Sequence, residues 1–176
     1  MWKGRKLHPD SIDKSKAIIQ TTIECAKVNR GLLFISDLYI PTLAASASYY
    51  IGYETGENSV CYTPTDVQND SALLKVEFFE DAEFEDGTPV EITNKNRISE
   101  NEPTMSIVSA PTVTEEGDLL TTIILIGSET FGNNRTGGRA SSENKYILKP
   151  NTKYLAKITN MNSETCKIAI RSEFFE

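Results

Sequence analysis

The densest run of reactive side chains in this 176-residue chain is a set of carboxylates: Glu77, Glu80, Asp81, Glu83, Glu85 and Asp86. Two carboxylates held about 5–10 Å apart across a cleft are what carboxylate-driven glycoside hydrolysis requires, and Glu80 with Asp86 is the pair to consider. Nothing in the sequence signals that cleft. Oxygen-rich loops also hold calcium, but Asp81, Glu83, Glu85 and Gly87 lack the spacing of acids and glycine found in an EF-hand. The plain reading is a solvated strand end and turn. Like charges this dense repel one another, so a cationic partner surface is a third reading.

Other chemistries find less support. His8 is the single histidine, and a Ser-His-Asp or Cys-His triad would have to use it, although its basic N-terminal surroundings are poorly suited to holding an imidazole rigid. Gly127 and Gly132 have the spacing that opens a phosphate-binding loop, yet Asn133-Asn134 stands where Lys-Ser/Thr is needed. Those glycines read instead as positions of positive φ or close packing. Tyr49, Tyr50, Tyr53 and Tyr62 could line a carbohydrate face, with packing between sheets as the simpler role. Cys25, Cys61 and Cys166 are an odd, widely spaced set without a C-x-x-C pair, so neither a disulfide scaffold nor a zinc site is expected. No metal and no cofactor is expected.

Composition sets the frame for the elements that must position these groups. A chain of this length makes one domain with a sizeable core, and 39% hydrophobic with 24% charged residues is ordinary for a globular protein. A net charge of -7 argues against nucleic acid as the partner. No apolar run approaches the roughly 20 residues that span a bilayer, and the N-terminus carries no apolar segment of a secretory signal.

Residues 1–16 form a basic arm, with Trp2, Lys3, Arg5, Lys6, Lys14 and Lys16 against Asp10 and Asp13. Between Lys16 and Val28, Ser15 or Asp13 could cap a helix, but the β-branched Ile18, Ile19, Thr21, Thr22 and Ile23 favour a strand. Gly31 punctuates, and a buried strand runs from Leu32 toward Pro41. Tyr49, Ile51 and Tyr53 alternate as a strand, Val60 to Tyr62 is a short one, and Thr63-Pro64-Thr65-Asp66 reads as a turn. Leu74, Val76 and Phe78 share one face of a half-buried strand, and Val90 with Ile92 makes a shorter one.

Asn94 to Thr104 is a loop, Met105 to Ala110 is extended, and Glu115-Glu116-Gly117-Asp118 turns. Leu119 to Ile126 reads as buried on both faces. A long loop from Gly127 to Asn144 follows, of a length that usually serves a function or a partner, with Arg135 and Arg139 suited to subunit contact. Tyr146 to Ile170 reads as a β-hairpin, with Tyr154, Ala156 and Ile158 on one face and Cys166, Ile168 and Ile170 turned inward on the return. Short strands divided by turn signals predict an all-β fold, an antiparallel β-sandwich of jelly-roll-like form over residues 17–176 with a short extended N-terminal arm.

Three stretches in series then carry a resemblance. Gly87-Thr88-Pro89-Val90-Glu91-Ile92-Thr93-Asn94-Lys95-Asn96-Arg97 is followed by Ala110-Pro111-Thr112-Val113-Thr114-Glu115-Glu116-Gly117. The Gly-rich loop then closes on Tyr146-Ile147-Leu148-Lys149-Pro150-Asn151-Thr152-Lys153-Tyr154. This order resembles small virion structural proteins of tailed bacteriophages, over roughly residues 74 to 172. The resemblance implies a non-enzymatic head decoration or capsid-auxiliary protein, made in the host cytoplasm and placed on the capsid exterior, with the major capsid protein as partner. A homo-oligomer such as a trimer at a local symmetry axis would stabilise the shell. Trp2, Lys3, Arg5 and Lys6 are the residues assigned to shell docking, and Arg135 and Arg139 to lateral contact, with neither nucleic acid nor membrane as partner. The alternative is a tail or fibre-associated module recognising host surface glycans through the tyrosine-rich stretch 49–62.

Overall fold

Alternation of large apolar and polar residues sets the strands, and their long-range pairing sets the fold. The computed structural model describes residues 23–69, 73–126 and 145–176. One helix, α1 (Ile23–Asn29), precedes β1 (Leu33–Leu43), β2 (Ser48–Glu54), β3 (Val60–Asn69) and β4 (Leu73–Glu80). An insertion follows with β5 (Glu83–Glu85), β6 (Thr88–Pro89), β7 (Ile92–Asn94), β8 (Ser106–Ser109) and β9 (Thr112–Glu115). The chain returns through β10 (Asp118–Ile126), β11 (Tyr146–Leu148), β12 (Lys153–Asn160) and β13 (Cys166–Phe175).

The outgoing and returning strands pair as one long antiparallel ribbon. β1 pairs with β13, β2 with β12, β3 with β11 and β4 with β10. The ribbon is then rolled, so that β13 also pairs with β3 and β12 with β4. Two sheets result, ordered β11-β3-β13-β1-β7 and β10-β4-β12-β2-β8-β6, with β5 and β9 forming a separate two-stranded ribbon. This is the double Greek-key plan of a jelly-roll sandwich, as expected from the strand and turn pattern.

The core between the sheets centres on Phe78. Its ring stacks on Tyr62 and Tyr154, with centroids at 5.5 and 5.7 Å, and meets Tyr53 edge-on at 6.0 Å and Tyr146 at 5.9 Å. Tyr62 and Tyr146 come from one sheet, and Phe78, Tyr53 and Tyr154 from the other. Buried hydroxyls need partners: Tyr62 donates to the Tyr53 oxygen at 3.2 Å, and Tyr53 lies 3.4 Å from Ser172 Oγ. A second, smaller cluster of Phe79, Ala82, Phe84 and Leu155 fills the space between the six-stranded sheet and the β5–β9 ribbon.

Five local expectations need correction. The segment read as a strand up to Val28 is helical over Ile23–Asn29; residues 16–22 lie outside the described residues. Gly31, at φ +67°, ends this helix in a Schellman arrangement, with Gly31 N–H donating to Val28 O and Leu32 N–H to Lys27 O. The side chains of Asn94, Asn96 and Asn101 donate to the carbonyls of Gly31, Asn29 and Arg30 respectively. Those partners are remote in sequence, so the β-branched run dominated the local reading. Thr63–Asp66 is not a turn but part of β3, where Pro64 and Thr65 oppose Ser172 alone in a bulge that spares Pro64 a ladder donor.

Val90 and Ile92 do not share a strand. The chain crosses between sheets there, β6 pairing with β8 and β7 with β1. β10 is an edge strand with Leu119 53%, Leu120 40% and Ile124 47% exposed, not a strand buried on both faces. Finally, β12 and β13 are not a hairpin, because they belong to opposite sheets. Their apolar faces meet across the core, an arrangement that alternation alone cannot distinguish from a hairpin. The arch between them is held by Asn160, which is fully buried and donates to the carbonyls of Leu43, Ala44 and Glu164.

Replacing Phe78 by Ala removes the ring that four tyrosines share. The expected cost is about 3–5 kcal/mol, read as a lowered urea midpoint at an unchanged slope.

Candidate interaction surfaces

The motif residues are engaged in building the fold. Lys149 Nζ lies 2.6 Å from Glu80 Oε1, and Tyr154 donates to Glu80 Oε2 at 2.9 Å while accepting the Lys149 backbone N–H at 2.8 Å. Thr55 Oγ1 donates to the carbonyl of Lys149 and accepts the Thr152 N–H, and Asn151, at φ +50°, donates its N–H to Gly56 O. The Lys149-Pro150-Asn151-Thr152 stretch is therefore the crossing from β11 to β12, pinned at both ends. The Lys149 ammonium holds the Glu80 carboxyl below its usual range against the opposing effect of burial, with Tyr154 assisting. Burial, reinforced by Glu80, raises Tyr154 to about 12 even though the Lys149 N–H works against it.

A similar staple fixes the turn before β10. Glu116 accepts from Lys157 Nζ at 2.7 Å and from the Tyr50 hydroxyl at 2.9 Å. The Lys157 contact lowers the Glu116 pKa, opposed by burial. Gly117, at φ +80°, allows the turn to pass against the backbone of Glu80 to Ala82, where a Cβ would clash.

Of the candidate acid pair, Glu80 is committed to Lys149 and Tyr154, and Asp86 sits in a left-handed turn at φ +56°. Among the described residues no group of three or more His, Cys, Asp or Glu is placed to hold a metal ion. Tyr53 and Tyr62 are 1% exposed in the core, so they cannot line a carbohydrate face. His8, Trp2, Lys3, Arg5, Lys6, Arg135 and Arg139 lie outside the described residues.

Three surfaces stand out instead. The first is a rim: β10 and β11 end their respective sheets, and among the described residues they carry four of the seven exposed large hydrophobics, Leu119, Leu120, Ile124 and Ile147. β10 has no Lys, Arg, Pro or Gly to blunt its edge. The second is the outer side of the β5–β9 ribbon, where Glu83 stands directly opposite Glu115 and Glu85, Asp81 and Asp86 are exposed beside them.

The third surface lies on the outer face of the five-stranded sheet. Ile147, Cys61 and Phe175 sit side by side in register. Lys27 and Lys145 both reach over the Phe175 ring, at 5.2 and 5.9 Å from its centroid. Burial raises the Cys61 thiol pKa, while Lys145 and Lys27 pull it down. The sequence reading found neither the first nor the third surface, since both depend on register between distant strands.

Glu80 and Glu116 have pKa values below the ordinary 4.5 in the fold. Their contribution to stability is therefore present above that value and lost as pH falls through the folded values. A Glu80→Gln/Glu116→Gln variant is expected to show a flatter dependence of urea midpoint on pH from about pH 5 downward than the parent chain. Equal slopes would refute the two staples. No protein-family model matches this chain, and no curated protein matches it.

Proposed function

We propose that this protein is a non-enzymatic structural component of a bacteriophage virion, a head decoration protein that binds the outer shell of the capsid and stabilises it. The observation that carries this reading is the rim of β10 and β11. Two sheet edges each present exposed apolar side chains, while Lys149 and Tyr154 of the last resemblance stretch are used up with Glu80 in holding the sandwich. An unblunted edge with apolar side chains suits addition to another protein. The jelly-roll plan supports the reading as one that viral capsid domains use, though the plan alone hosts many functions. The order of the stretches from Gly87 to Tyr154 supports it independently.

In this reading the basic arm, with Trp2, Lys3, Arg5 and Lys6, docks on the major capsid protein, and the predominantly acidic body keeps the exposed part soluble. Arg135 and Arg139 make lateral contacts between copies. Contacts formed only on the assembled shell stabilise it by mass action.

Deletion of residues 2–14 is expected to lower co-sedimentation with emptied capsids by at least about tenfold at moderate salt, and Ile124→Lys, at an exposed edge position, to lower it without changing the far-ultraviolet spectrum. Undiminished binding by both variants would remove the shell-docking assignment.

A further inference from the structure

We propose that two copies of this chain associate head to tail, the cationic patch around Phe175 of one copy docking on the acidic β5–β9 ribbon of the next. The two surfaces lie on opposite outer faces of the sandwich. Phe175 and Cys61 belong to the five-stranded sheet, whereas the ribbon packs through Phe84 on the outer side of the six-stranded sheet. A contact between unlike faces is heterologous and closes into a ring if its rotation allows.

Charge complementarity identifies the occupant. Glu83 and Glu115 are cross-strand neighbours of like sign, an arrangement that costs stability in the isolated sheet. Glu85, Asp81 and Asp86 add to the same negative field. A cationic surface docking there relieves the repulsion. The patch supplies Lys27 and Lys145, which lie over an aromatic ring and pair with no carboxylate among the described residues. Ile147, 70% exposed beside them, gives the contact an apolar anchor. Among the described residues, Lys75, Lys95, Lys149, Lys157 and Arg171 each pair with a carboxylate of their own chain, and Lys153 donates to the Phe84 carbonyl.

The contact forms in solution and does not depend on a capsid, so its failure and that of shell docking can be told apart. The test is sedimentation velocity of the full chain across a concentration series at low and high salt, with three variants. Wild type is expected to self-associate at low ionic strength and to dissociate as salt screens the contact. Lys27→Glu/Lys145→Glu and Glu83→Lys/Glu115→Lys should each weaken association at least about tenfold, and an equimolar mixture of the two should associate again. The second variant exchanges one like-charge pair for another, now set among the exposed carboxylates of Asp81, Glu85 and Asp86, so its melting temperature should not fall, which separates lost docking from lost folding. A wild type that stays monomeric at low salt overturns the proposal. So does association unchanged by either reversal, a mixture that fails to recover it, or dependence on residues 2–14 in place of Lys27 and Lys145.

Discussion

The ring of Phe78 is the point on which the two sheets meet. It comes from β4, the strand inside the β10 edge of its sheet, and its faces and edges are taken by tyrosines from both layers. Aromatic residues give the largest buried area per side chain, and tyrosine adds a hydroxyl that must find a partner. Two of those hydroxyls bond to one another near Ser172, and a third reaches the rim at Glu80. The apolar core and the polar staples of the sandwich end are therefore one connected unit. Loosening the ring would free the groups that fix the crossing from β11 to β12.

Around that centre, polar side chains and turn backbone hold the crossings. A jelly roll repeatedly moves the chain from one sheet to the other, and each crossing exposes backbone groups that no ladder satisfies. Asn160 closes the β12–β13 arch, Thr55 and Asn151 close the β11–β12 crossing, and Asn94, Asn96 and Asn101 close the end of α1. Asn94, Asn96 and Asn151, which stand out in the sequence stretches 87–97 and 146–154, each serve here to satisfy a carbonyl at a crossing or helix end.

With the interior so committed, the features open to a partner are on the outside. The acidic ribbon and the cationic patch lie on opposite outer faces of the sandwich, and the apolar rim adjoins the patch at Ile147. A protein of this form is suited to meeting several neighbours at once, which is the demand placed on a component of a shell. The proposed shell contact and the proposed contact between copies share Ile147 of β11 and otherwise use different residues.

The strand content, the inward faces of β2, β4, β12 and β13 and the turn at Gly117 were legible in the sequence, because a period of two and the residues tolerant of positive φ are local properties. The packing role of Tyr53 and Tyr62 was legible for the same reason. Local pattern could not assign strands to sheets: Tyr154, Ala156 and Ile158 alternate identically whether β13 lies beside β12 or across the core from it. Nor could it show that Leu119 and Ile124 sit on an edge, that Pro64 occupies a bulge, or that remote asparagines cap α1. Those outcomes depend on pairing between residues far apart in the chain. Only closure of the sandwich supplies that pairing, and with it the union of Lys27, Lys145, Phe175 and Ile147 in one patch.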